Sequence, residues 1–208
     1  MGAALRSVGA IGPSVGPQLI AGDDATRFLV VRHPLFRFYS GFRQKFKKAD
    51  PLHFKLLKKS GYLRERNQAH EESTDDDMTI TFADFGHFIG SMIPKSSTFN
   101  SHFRPQFHAC QACNYKYDNI IKTEFMNEEA NYVLRKAGYD IKPWEGFVQR
   151  GSTLGGISKE IRSDKLKEQL SALSREDLTG LVKRYEMDLE AFGYTVDIEN
   201  NLLGGWDD

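Results

Sequence analysis

Cysteine is scarce in this chain: Cys110 and Cys113 are the only two in 208 residues. That is too few for a scaffold built on disulfides. Net charge is missing as well, because 28 Lys and Arg balance 28 Asp and Glu. The balance argues against a generic nucleic-acid binder, which carries a basic excess. No apolar run is long enough to span a bilayer. Residues 1–26 are rich in Gly, Pro and Ala and do not follow the pattern of a signal peptide. Met1-Gly2 has no Ser or Thr at position 6, so the myristoylation pattern is unmet. No Asn-x-Ser/Thr sequon occurs, and no lysine precedes Lys45. The G-x-x-x-x-G-K-[ST] phosphate loop is absent too, which sets aside a P-loop kinase or NTPase.

What is present suits one sizeable domain with a real core. Arg27 to Val31 reads as a short buried strand, and Pro34 suits the first turn of a helix running to about Lys48. Residues 51–62 read as a second, basic helix and 64–78 as a polar loop. Thr81 and Asp84 form a capping box for a helix through about Met92. "YDNIIKTE", Tyr117 to Glu124, reads as a second buried strand. Asn127 is expected to cap the next helix, ending at Gly138. Ser158 opens a helix to about Leu173. Ser174 with Asp177 caps another, which Gly193 ends. Short apolar strands alternating with helices predict an α/β layer fold with a parallel sheet.

The stretch "FLVVRHPLFRFYSGFRQKF" carries the chemistry. At 100° per residue, Leu35, Phe38, Tyr39, Phe42 and Phe46 share one core stripe, with Arg37 and Gln44 on the far side. Arg32 ends the strand, at the edge where open α/β sheets bind ligands. The N–H groups of the helix beginning at Pro34 point to that edge. Strand end, helix start, Arg32 and Ser40 are therefore placed to surround one anion, and an arginine fork suits a phosphate. The plainer reading is a surface arginine beside a solvated basic helix face.

"VRHPLFRFYSGFRQKF" resembles the 3'-phosphate-binding stretch of Golgi carbohydrate sulfotransferases of the chondroitin and dermatan 4-O-sulfotransferase type. Their pattern is roughly V-R-x-P-x-x-R-x-x-S-x-[YF]-R-x-K-F, and every fixed position is met. "SHFRPQFHACQACNYKYDNIIKTEFMNEEANYVLRKAG" resembles the family's second block, with Phe103 in place of a tryptophan and Glu129 near the usual acid. "YEMDLEAFGY" resembles its closing block. The resemblance covers about residues 27–196. It implies a P-loop-like, parallel-sheet sulfotransferase fold over 27–198, after an atypical or flexible segment 1–26 and before a C-terminal tail, 199–208. It also implies the donor 3'-phosphoadenosine 5'-phosphosulfate, with Arg32 and Ser40 on its 3'-phosphate and Arg37 in the same donor-binding set. The acceptor is a glycan or glycosaminoglycan hydroxyl, and the location is the Golgi lumen or membrane. The family's lysine-bearing phosphosulfate loop finds no match in residues 1–26, so the chain reads as N-terminally truncated. The alternative is an inactive nucleotide- or glycan-binding module.

Other residues complete the set. His102 is the candidate general base, because imidazole titrates near neutrality, and His33 is a second choice. The alternative for each is a structural histidine. Lys122 and Glu124 end the second strand, facing the ligand edge or capping the next helix. Arg150 and Ser152 lie in "QRGSTLGG", whose composition suits a loop closing over the nucleotide. Between Arg32 and Arg66, eleven Lys or Arg stand against two acids. Arg43, Lys55, Lys58 and Lys59 from this stretch are the candidate acceptor-binding cations. Cys110 and Cys113 with His102 and His108 lack the spacing of a zinc site, and no metal is expected. The resemblance instead implies a structural or disulfide role for the two cysteines.

Overall fold

The computed structural model describes residues 26–46, 80–91, 101–139, 159–199 and 202–204. The expected basic helix over 51–62, the loop over 64–78, Lys55, Lys58, Lys59, Arg150 and Ser152 lie outside them. The fold is mixed α/β with a parallel strand pair. The chain divides into two compact units, Met1–Arg32 with Gln106–Gly156, and His33–Pro105 with Ile157–Asp208.

In the first unit, β1 (Phe28–Val31) and β2 (Asn119–Lys122) run parallel, registered from Phe28 opposite Asn119 to Val31 opposite Lys122. The pair is pinned at its start. The amides of Asp118 and Asn119 donate to the Arg27 carbonyl at 2.9 and 3.1 Å. The Asp118 carboxylate accepts in return from the Arg27 amide at 2.8 Å and from its guanidinium. Four-residue α3 (Gln106–Ala109) precedes β2, and a 3-10 turn, Thr123–Phe125, leads from β2 into α4 (Met126–Lys136). Glu128 and Glu129 stand in the first turn of α4 and Arg135 and Lys136 in the last, the order its dipole favours. Ile121 packs against Ala130 and Val133, with Met126 at the margin. Asn127 is not the cap expected of it. The cap is Phe125, without a side-chain bond, and the Glu129 carboxylate reaches back to the Lys122 amide at 2.5 Å.

The second unit holds the larger core. In it are α1 (Pro34–Lys45), α2 (Phe82–Ser91), a 3-10 turn over Ser101–Phe103, α5 (Lys159–Ser171), α6 (Arg175–Arg184) and α7 (Glu186–Phe192). The strands β3 (Thr195–Asp197) and β4 (Leu202–Gly204) form an antiparallel pair, with β4 in the segment read from sequence as a tail. (α3, already described, belongs to the first unit.) The expected stripe is buried along α1 and at its C-cap Phe46, with Tyr39 half-buried at its margin. Leu35, Phe38, Phe42 and Phe46 meet Phe82, Phe85 and Phe103, and Leu166, Leu170, Leu178, Leu181 and Tyr185 close the cluster. Phe38 and Phe85 stack at 5.4 Å with planes 6° apart. Gly41 is required here, because a Cβ would come within 2.9 Å of the Phe103 ring. The expected single helix from Ser174 to Gly193 is broken at Tyr185 into α6 and α7.

Two capping boxes form as the sequence implies. The Thr81 hydroxyl accepts from the Asp84 amide at 3.1 Å, and that of Ser174 from the Asp177 amide at 3.0 Å. Burial pushes the Asp177 carboxyl upward, but the Ser174 hydroxyl at 2.6 Å and the His87 ring at 2.5 Å outweigh it and leave it below its ordinary 3.8. A depressed carboxyl contributes stability that is present above its unfolded value and lost as pH falls through its folded one. Asp177→Asn is therefore expected to lower stability by about 1 kcal/mol at neutral pH and to flatten the acid limb below pH 3.8. Thermal melts across an acid series check this; an acid limb as steep as that of the parent chain would refute it.

Candidate functional site

Arg32 follows the last residue of β1. Its place is set by a side chain the sequence reading passed over. The Gln106 amide accepts from the Arg32 N–H at 3.1 Å and donates to the Val30 carbonyl at 3.2 Å. Strand N–H and C=O groups alternate sides along the chain. The Arg27 carbonyl faces the start of β2, so Val30 O and the Arg32 N–H lie on the opposite edge. The Gln106 side chain thus satisfies one donor and one acceptor there, as a neighbouring strand would. Its signal in the sequence was its fixed place in the second matched block.

His33, the residue before α1, is fully buried. Its Nδ1 accepts from the Leu35 amide at 3.3 Å, and its Nε2, as the protonated nitrogen, donates to the Thr195 carbonyl at 3.2 Å. His33 thus caps α1; Pro34 has no N–H, Leu35 donates to His33 Nδ1, and Arg37 makes the first helical bond to the His33 carbonyl at 3.0 Å. No acidic side chain stands in that first turn. Arg32 and Ser40 are both half-buried, Arg32 in the first unit and Ser40 on α1 in the second.

Arg37 does not lie free on a solvated face. It is half-buried, and its guanidinium donates to the Arg104 carbonyl at 2.6 Å. Arg43 also turns inward. Its guanidinium lies 5.7 Å above the Tyr39 ring, one helical turn earlier, and its Nη1 is enclosed without a hydrogen bond. His102 is exposed in the turn before Phe103. Phe103 is fully buried, and its carbonyl accepts from the Tyr185 hydroxyl at 2.9 Å. Burial, with the nearby Asp188 carboxylate, pushes the Tyr185 phenol up to about 12 against the pull of Arg184 and Arg37. Arg184 and Asp188 are buried beside it.

Lys122 ends β2, its amide held by Glu129, and Glu124 falls in the 3-10 turn beyond the strand. Cys110 is half-buried and Cys113 is exposed. Among the described residues no three His, Cys, Asp or Glu side chains gather as a metal-binding group. None of the described helices is long and apolar enough to cross a membrane.

Comparison with known proteins gives the class. The profile of the sulfotransferase family matches residues 15–195, and the chain belongs to that family. It is similar to carbohydrate sulfotransferase 11 of Rattus norvegicus, 28% identical over 172 residues, which is 82% of this chain and 47% of the relative. It is similar also to carbohydrate sulfotransferase 14 of Danio rerio, 25% identical over 174 residues, 81% of this chain and 43% of the relative. A third, carbohydrate sulfotransferase 10 of Xenopus laevis, is 27% identical over 176 residues, 81% of this chain and 47% of the relative. The chain spans about half the length of the curated relatives it matches. No solved structure matches it.

Proposed function

We propose that the chain is a carbohydrate sulfotransferase domain, which binds 3'-phosphoadenosine 5'-phosphosulfate and transfers its sulfuryl group to a glycan hydroxyl in the Golgi. The observation that carries this is the family match across residues 15–195, together with relatives that all bear carbohydrate sulfotransferase names. In the reaction, the acceptor oxygen forms a bond to sulfur while the bond from sulfur to the bridging phosphate oxygen breaks. Adenosine 3',5'-bisphosphate leaves, and the acceptor proton passes to a base, for which the exposed His102 is the candidate. Arg32 and Ser40 hold the 3'-phosphate. The fixed Arg32 backbone supports this role, since a guanidinium whose main chain is held loses less freedom on binding.

Calorimetry with adenosine 3',5'-bisphosphate tests the donor site. A charged hydrogen bond is worth ~1.5–3 kcal/mol, so Arg32→Ala is expected to weaken binding at least about tenfold. Equal affinity in the two proteins removes Arg32 from the site. A radiolabelled-donor assay on desulfated chondroitin tests transfer. Bisphosphate binding without transfer would favour the binding-module reading.

A further inference from the structure

The turn that carries His102 is held from two directions by side chains that no reading of the motifs assigned to it. The guanidinium of Arg37, on α1, donates to the Arg104 carbonyl at 2.6 Å. The hydroxyl of Tyr185, at the junction of α6 and α7, donates to the Phe103 carbonyl at 2.9 Å. These are consecutive carbonyls. Between them the Phe103 side chain is sunk in the aromatic core, 4.8 Å from the Phe85 ring. His102 and Arg104, on either side of that peg, are exposed. A solvent-facing turn ordinarily keeps backbone freedom. This one has an apolar anchor and two fixed carbonyls within two residues, and the two groups it displays are an imidazole and a guanidinium.

We propose that Arg37 and Tyr185 are positioning residues, which lock the turn so that His102 and Arg104 are presented together to an acidic glycan acceptor. The guanidinium of Arg104 supplies the cation for an acceptor carboxylate or sulfate, and His102 stands next to it for the acceptor hydroxyl. Arg37 then acts through this turn and does not contact the donor nucleotide. The kinetic part rests on the transfer reading above; the structural part does not.

The test uses the full chain with Arg37→Met, Arg37→Lys and Tyr185→Phe, each shown to be folded by thermal melting. The His102 ring resonance, assigned by its loss in His102→Asn, reports the turn directly. It is expected to shift or broaden in Arg37→Met and in Tyr185→Phe, and to return toward its original position in Arg37→Lys. Acceptor KM, measured on desulfated chondroitin, is expected to rise roughly three- to tenfold, the size of one lost hydrogen bond, while affinity for adenosine 3',5'-bisphosphate is unchanged. An unmoved His102 resonance in both Arg37→Met and Tyr185→Phe overturns the proposal. So does a loss of bisphosphate affinity in Arg37→Met with the resonance unmoved, which would make Arg37 a donor ligand. If the parent chain shows no turnover, the transfer reading fails, and the resonance still decides whether the clamp exists.

Discussion

Phe103→Ala is expected to destabilise the chain by about 3–5 kcal/mol, the range for emptying a large buried aromatic site. The side chain is fully buried, with ring centroids at 4.8 Å from Phe85, 5.8 Å from Phe38 and 6.1 Å from Phe46. These neighbours lie on α1, at its C-cap and on α2, and cannot close over the space without moving their own packed faces. A loss of this size approaches the whole stability of an ordinary domain. Gly41 supplies a sharper check. A methyl at position 41 meets the Phe103 ring at 2.9 Å. Gly41→Ala should therefore be costly in the parent chain and much less costly beside Phe103→Leu, which pulls the ring atoms away. Denaturant melts of the four proteins in the cycle measure this coupling. Additive effects would show that the two residues do not share the contact.

The other large effect is expected at Gln106. Gln106→Glu keeps the shape but cannot donate to the Val30 carbonyl, and it sets a negative oxygen opposite that carbonyl. Gln106→Met removes both bonds. A typical intramolecular hydrogen bond contributes ~0.5–1.5 kcal/mol net, so both variants should lose stability, with the glutamate recovering part of its loss when it is protonated at low pH. Bisphosphate affinity should fall with it, since the same amide fixes the Arg32 backbone. Denaturant melts at two pH values, with calorimetry alongside, provide the readout. Parent-like stability in Gln106→Met would mean that water serves this edge equally well.

Local signals were readable wherever the physics is local. The α1 stripe follows from helical period alone, and the capping boxes at Thr81 and Ser174 follow from a hydroxyl and a carboxylate three residues apart. The parallel pairing of β1 with β2 followed from two apolar runs separated by helical sequence. The break at Tyr185 was not legible, because "YEMDLEAF" continues a good helical pattern. What accompanies the break is a bond to a carbonyl 82 residues away. Arg37 misled for a related reason: helical period put it opposite the core stripe, but the turn at 101–104 folds over that side of α1 and takes its guanidinium. His33 looked like a site residue through its neighbour Arg32. Only tertiary structure reveals that Thr195 receives its other nitrogen. The family motif was legible in the sequence, and the hydrogen bonds around Arg32 and His33 were not.

The buried phenol of Tyr185 also sets how the chain meets alkali. In the unfolded chain that group ionises near its ordinary 10.0, and in the folded one not until about 12. Between those values the unfolded state releases a proton that the native state retains, so each step upward in pH favours unfolding. The loss begins near pH 10 and reaches about 2 kcal/mol by pH 12, at no more than about 1.4 kcal/mol per unit. Tyr185→Phe, having no proton to lose, should show a shallower alkaline decline despite a lower stability at neutral pH. The hydroxyl that steadies the His102 turn at neutrality is thus also a point at which base opens the core.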